Sequence, residues 1–401
     1  MAMISISGKV LQQLRTMVRK GLCMNKRQSN RPITFIANQR ELSISISSEN
    51  AILEYRESGS FVPVQFAAPL ALMRECSAST RTDVLIKAGN EVVDVSWFEG
   101  AIPQQKLFPR LPAKPLPREP EQWCSNNSEL MTALRDASGT ADSESSQYAL
   151  NCIRLRGHDG QLAATDGRQL LVQDGFSLPW EGQVLIPASP LFSCADLQRG
   201  TSTDVACQEA WVVFRNGPWS IWLKIDKTSR FPEVDSLVPT AVHGDRLLAL
   251  NDEDAAFLQQ NLQHLPGTNA ANSPITVDLN GKVVFRARDA EKSSACDLIM
   301  SRSRWTGKFI RFAVNRHHLA RAVQLGFRNF QVDRPESPVV AKSDHRTFVW
   351  ANLCQESAFP PSDDAMQVDS ADCSVKARRP DPPIKRDSQR SQKKRSAMCV
   401  S

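Results

Sequence analysis

The stretch Leu162-Ala-Ala-Thr-Asp-Gly-Arg-Gln-Leu-Leu-Val172 sets an Asp166-Gly167 turn between two short apolar runs. Gly tolerates the positive φ that a tight turn needs, so Asp-Gly in this setting predicts a β-hairpin. A hairpin alone says nothing about function. Its weight comes from the elements around it, which recur in the same order three times.

Upstream of the hairpin, Asn127-Ser128 caps a helix running to about 137, 139–146 is a polar loop, and 148–156 and 161–164 read as strands. Downstream, 169–173 is a strand, 184–187 enters a helix around 189–197, and strands follow at 203–207, 210–215 and 219–225. The first part of the chain runs similarly. Residues 8–20 form an amphipathic helix with Val10, Leu11, Leu14, Met17 and Val18 on one face, strands follow at 32–36, 41–47 and 51–55, a short helix lies near 69–74, and strands close it at 83–87 and 91–98. A third pass has a helix at 252–264 with acidic residues in its first turn, strands at 274–279, 282–288 and 295–300, a helix at 315–325, and strands at 330–333, 339–341 and 347–353. Each unit is ordered helix, strands, helix, strands, which predicts an α+β protein built as a modular arc or ring.

Between the first two units, residues 101–120 hold six prolines and read as a stiff linker. The expected domains are 1–118, 121–242 and 243–357, and the composition from 358 to 401 predicts a disordered basic tail. Net charge is +6, and nine Lys and Arg against Asp381 and Asp387 put +7 of it beyond residue 375, leaving 1–375 at −1. A near-neutral body must contact nucleic acid through a local patch rather than bulk charge. No apolar run approaches the ~20 residues that span a bilayer, and the alternating start Met1-Ala-Met-Ile-Ser-Ile-Ser7 is not a signal peptide. The ten cysteines show no metal-ligand spacing and read as reduced thiols in a cytoplasmic protein. No metal or cofactor is expected. His158-Asp159 and Asp166 could be imagined as an acid/base set, but His158-Asp-Gly160 reads as a turn, and no nucleophile or phosphate loop accompanies it. An enzyme is not expected.

Ala164-Thr165-Asp166-Gly167-Arg168-Gln169-Leu170, Arg230-Phe231-Pro232 with Val238-Pro239, Asn315-Arg-His-His-Leu319 and Pro32-Ile33, in that order, resemble motifs of the bacterial DNA polymerase III β sliding clamp family over roughly residues 3–355. The resemblance implies three clamp domains per chain, with helices on one face and antiparallel sheets outside, and two chains closing into a homodimeric ring around duplex DNA. It implies a non-catalytic processivity role in DNA replication, at the bacterial nucleoid. It also implies docking of the polymerase III catalytic subunit and the clamp loader through linear peptides.

On this resemblance Arg15, Arg19 and Lys20 face DNA with Arg27 in the adjacent loop, and Arg74, Arg135, Arg199, Arg316 and Arg321 are further candidates on later helices. Lys and Arg there would give a salt-sensitive, sequence-independent attraction to phosphates. The helix 252–264 carries no Lys or Arg, against an evenly basic bore. The implied partner-peptide pocket is apolar and lies between the second and third domains. It comprises Leu150, Thr165, Gly167, Arg168, Gln169, Leu170, Pro239, Asn315, His318, Val349, Ala351, Asn352 and Leu353. Where the family's last strand usually ends Val-Met-Pro-Met, this chain has Val349-Trp-Ala-Asn-Leu353. Its hairpin carries Arg168-Gln169 in place of His-Arg. Those departures favour an alternative, a specialised clamp paralogue whose altered pocket serves another partner or competes with the main clamp.

Overall fold

A computed structural model describes residues 2–24, 26–76, 82–142, 144–145, 149–238, 246–267, 272–289 and 295–372. The first unit contains β1 (Ala2–Ser7), α1 (Gly8–Lys20), β2 (Pro32–Ala37), β3 (Glu41–Ser47), β4 (Ala51–Ser58), β5 (Val64–Pro69), α2 (Ala71–Cys76), β6 (Asp83–Ala88), β7 (Val92–Glu99) and β8 (Ile102–Pro109). The second contains β9 (Cys124–Asn127), α3 (Glu129–Ser138), β10 (Cys152–Arg156), β11 (Gln161–Thr165), β12 (Gln169–Gln173), β13 (Gln183–Pro187), β14 (Ser202–Gln208), β15 (Trp211–Asn216) and β16 (Trp219–Lys224). The third contains β17 (Leu247–Ala249), α4 (Asp252–Asn261), β18 (Pro274–Leu279), β19 (Val283–Arg288), β20 (Ala295–Ile299), β21 (Arg304–Thr306), β22 (Ile310–Asn315), α5 (Arg316–Gln324), β23 (Asn329–Gln331), β24 (Val339–Ser343), β25 (Arg346–Trp350) and β26 (Met366–Asp369).

Each unit folds as two four-stranded sheets of the same design. The first sheets run β5-β2-β3-β4, β13-β10-β11-β12 and β22-β18-β19-β20, and the second sheets run β1-β6-β7-β8, β9-β14-β15-β16 and β17-β23-β24-β25. Neighbouring units join by main-chain pairing at sheet edges. Strand β4 pairs antiparallel with β16, and β12 with β25, so the first two units share an eight-stranded sheet and the last two, with β21 added beside β17, a nine-stranded one. Alternation explains the division of side chains: on the shared β12–β25 ladder, Leu171 and Phe348 face the core of the third unit while Leu170 and Val349 face the junction.

Helix α1 forms because Ser7 caps it, its side chain accepting from the Lys9 N–H, and because Val10, Leu11, Leu14, Met17 and Val18 recur at helical spacing and are buried. Arg19 and Lys20 in the last turn suit the negative end of the helix dipole. Helices α1 and α2 pack together, as do α4 and α5. Arg321 of α5 donates to the Asp136 carbonyl of α3 at 2.8 Å, which ties the helices of the second and third units.

Four expectations are corrected. Residues 101–120 are not all linker: β8 occupies Ile102–Pro109 as an edge strand, where Pro103 and Pro109 sit near its ends and cost little ladder pairing. The helix expected at 189–197 is a single 3-10 turn, Pro190–Ser193, because the chain leaves it extended at Cys194 once Leu191 and Phe192 are buried. The strand expected from 148 begins at Cys152, Tyr148 itself lying outside the described residues. The tail expected to be disordered from 358 is ordered in its first part, since Met366–Asp369 forms β26 on the edge of β20. Four residues of mixed polarity carry no strand signal of their own; the unpaired backbone of an edge strand supplies it. Residues 373–401, with most of the basic charge, lie outside the described residues.

Candidate functional site

Two surfaces gather the residues singled out above. The first is basic. Opposite its buried stripe, α1 exposes Arg15, Arg19 and Lys20, and Arg27 is exposed on the 3-10 turn Lys26–Gln28. Arg15 and Arg19 line, with Arg74 of α2, a hollow of about 370 Å³ floored by Val18, Leu70 and Met73. Arg74 hydrogen-bonds Glu75 at 3.0 Å, and Lys106 reaches the same carboxylate at 3.1 Å; hydrogen bonds from these two hold the Glu75 carboxyl below its ordinary value. Arg135 is exposed on α3 beside Asp136. Arg199 lies in a turn rather than on a helix, 72% exposed and paired with Asp196 at 3.2 Å; Asp196 also accepts from Gln13 of α1 at 2.8 Å, which sets this turn beside α1. Lys9, within the helix read over 8–20, is exposed on α1 as well.

Two of the nine cationic candidates do not belong to this surface. Arg316 is fully buried and donates to the carbonyls of Leu262, Leu265, Pro266 and Ser273, closing the segment between α4 and β18. Burial pushes its guanidinium pKa down. Arg321 is half-buried and spent on the α3 carbonyl, also with a pKa lowered by burial. An Arg at helical spacing reads the same from sequence whether it points outward or ties two segments together; only its surroundings decide. Helix α4 exposes Asp252 and Glu253, which pair with Arg328 and Arg302, so the described helices of the third unit present acid where the first two present base.

The second surface is the junction between the second and third units, built on the hairpin. Gly167 adopts φ +86°, and Asp166 closes the turn by accepting from the N–H groups of Arg168 and Gln169, both at 2.8 Å. Gln169 returns its amide to Asp166, and the buried Thr165 hydroxyl donates to the Gln169 carbonyl at 2.6 Å. Leu150 lies beside Gly167. Across the junction Leu170 opposes Val349 in the β12–β25 ladder, and the Ala351 N–H donates to the Arg168 carbonyl at 3.0 Å. The Arg168 guanidinium reaches Asn272 of the third unit at 3.0 Å. Asn315 caps α5, accepting from the His317 N–H. His318 is buried on the first turn of α5; desolvation pushes its imidazole pKa down, opposed by the Asp166 carboxylate. Asn352 donates to the carbonyls of Pro335 and Ser337, and the Leu353 N–H to that of Ala313, so both are held within the third unit. Pro239 lies outside the described residues.

Among the described residues, the apolar strip at this junction is covered. Leu170 and Val349 are 3% and 5% exposed, and they pack with Val172 and Val340 against Phe231, Val234 and Val238. The segment carrying the last three is pinned over the sheet: Asp235 receives Arg154 at 2.7 Å and Arg156 at 2.8 Å, and Arg154 sits 5.3 Å over the Phe231 ring. What is open is a polar hollow of about 560 Å³ lined by Ala141, Asp142, Glu144, Asp166 and Arg168. Among the described residues, the apolar strip implied for the pocket is covered and its lip is charged. The altered Trp350 turns away from it, buried among Phe330 and Phe348 in the third core.

No protein-family model and no curated protein sequence matches the chain. Solved structures do. The chain superposes on the DNA polymerase sliding clamp of Pseudomonas aeruginosa with a TM-score of 0.71 at 16% identity, covering 88% of this chain and 100% of that one. The β sliding clamp of C. crescentus gives 0.71 at 16%, over 88% and 99%, and the sliding clamp of Bartonella birtlesii, a complex with griselimycin, gives 0.71 at 14% over the same shares. The two-sheet unit repeated three times, with its helices layered together, is the fold of the bacterial DNA polymerase III β sliding clamps.

Proposed function

We propose that the chain is a DNA sliding clamp: a non-catalytic body that closes around duplex DNA as a homodimer and tethers a replicative polymerase. The observation that carries this is the cluster Arg15, Arg19 and Arg74 around one hollow, with Arg135 exposed on α3, on a fold shared over the full length of known clamps. A body that encircles DNA needs no base contacts. Cations spaced along helices attract phosphates without fixing a register, which permits sliding. Charge confined to the first two units would press duplex DNA toward that part of the bore. The discriminating experiment loads the protein onto nicked circular DNA with a bacterial clamp loader. A clamp stays on the circle and runs off once the circle is cut; release that ignores cutting rejects the reading.

The covered junction supports a second reading, a specialised clamp whose partners differ from those of the main one. A linear peptide seeking the apolar strip must displace Phe231, Val234 and Val238, whereas the open lip offers Asp142, Glu144, Asp166 and Arg168. Binding of a polymerase-derived apolar peptide that is unaffected by Leu170→Ala and Leu353→Ala would remove this site from either reading.

A further inference from the structure

The internal repeat shows how units join. The last strand of one unit's second sheet pairs with the outer strand of the preceding unit's first sheet: β16 on β4, then β25 on β12, each antiparallel over five residue pairs. Applied at the ends of the chain, the rule leaves two edges. Among the described residues, β8, equivalent to β16 and β25, and β20, equivalent to β4 and β12, pair with no neighbouring unit. A second copy placed head to tail would supply β8 to β20.

In this chain the β20 edge is already taken. Strand β26 lies on it in the one parallel pairing among the described strands, Cys296 opposite Met366 through Ile299 opposite Asp369. We propose that residues 360–372 are a displaceable plug: β26 occupies the edge that β8 of a second copy would take, so the chain blocks its own ring closure until β26 leaves. The inference rests on the clamp reading for its consequence, but its geometry comes from the repeat alone.

The attachment is specific and slight. Its latch is Asp369-Ser370: the Ser301 hydroxyl donates to both Asp369 oxygens at 2.6 and 2.7 Å, the Ser370 N–H donates to the Ile299 carbonyl, and the buried Ser370 hydroxyl donates to Asp254 at 2.6 Å. Asp254 is fully buried on α4 and keeps bonds from the Arg302 N–H and the Ser303 hydroxyl on its other oxygen, so releasing Ser370 does not strip it bare. Val368 alone packs on the core, and Met366 is 68% exposed. The edge sheet that would replace it offers more. Leu107 of β8 and Phe98 of β7 on one face, and Ile102 of β8 on the other, are 61%, 46% and 63% exposed, large apolar side chains at an unpaired edge. Such an edge is a template for another strand unless it is guarded, and burying those side chains against a second copy favours exchange.

The test uses the full chain and three variants of it, followed by sedimentation velocity. Val368→Asp with Asp369→Ala weakens the plug without touching the three units. Met366→Cys, oxidised to join position 366 to Cys296 opposite it, locks the plug in place. The expected result is a monomer–dimer dissociation constant at least tenfold lower for the weakened plug than for the full chain. The locked form should remain monomeric until reduced. Adding Ile102→Asp and Leu107→Asp to the weakened plug should abolish the gain. Equal dissociation constants for all forms overturn the plug. Retention on nicked circular DNA, measured on the same proteins, separates the two ideas: dimers that form but do not stay on the circle sink the clamp reading and leave the plug standing.

Discussion

Neutralising the α1 cations should change the salt dependence of DNA binding by a calculable amount. Seven exposed candidates remain on the first two units once Arg316 and Arg321 are removed: Arg15, Arg19, Lys20, Arg27, Arg74, Arg135 and Arg199. If each neutralises one phosphate, log K falls against log salt with a slope of about −6.3 for B-form DNA, a loss of roughly 6,000-fold between 50 and 200 mM salt. Arg15→Gln with Arg19→Gln leaves five contacts, a slope of about −4.5 and a loss of roughly 500-fold over the same range. Fluorescence anisotropy on a short labelled duplex at several salt concentrations reads the slope directly. Arg321→Gln is the internal control, because that guanidinium serves the Asp136 carbonyl and its loss should leave the slope where it was. An unchanged slope in the α1 double variant, or an equal change in the control, refutes the assignment of this face.

Other outcomes follow from the same contacts. Arg286 is buried between Asp278 at 3.0 Å and Asp297 at 2.9 Å; Arg286→Met strands the buried Asp297 carboxylate, while Asp278 keeps Arg311 at 2.9 Å, and should cost about 3–5 kcal/mol in urea unfolding. His318 has a folded-state pKa below its ordinary 6.5, so the neutral form is favoured in the fold and the unfolded chain binds the proton more readily. Its stabilising contribution is therefore complete above about pH 6.5 and is lost as pH falls through the lower folded value; melting temperatures between pH 5 and 8 should flatten in His318→Gln. Gly160 has φ +60°, and a Cβ there would lie 1.9 Å from the Phe176 carbonyl oxygen, so Gly160→Ala should lower the melting temperature. Asp235→Ala removes the partner of Arg154 and Arg156 over the junction and should raise proteolytic cleavage within 231–238.

The sequence by itself carried the repeat. Periodicity of two in Glu41–Ser47 and of 3.6 in Gly8–Lys20 is set by which side chains must leave water, and that requirement acts locally, so strands, helices and their threefold order were legible. The Asp166-Gly167 turn was legible for the same reason, since its chemistry lies within four residues. Only the tertiary structure decided which cations face outward. Arg19 and Arg316 both sit on amphipathic helices, yet one is exposed and the other closes four carbonyls contributed from 43 to 54 residues away in sequence. It also decided that the apolar strip of Leu170 and Val349 is covered by Phe231, Val234 and Val238, and that Met366–Asp369 is a strand at all. The physical reason is common to the three cases. Burial and edge pairing depend on what a distant segment brings to the same place, and no local pattern of residues encodes the arrival of that segment.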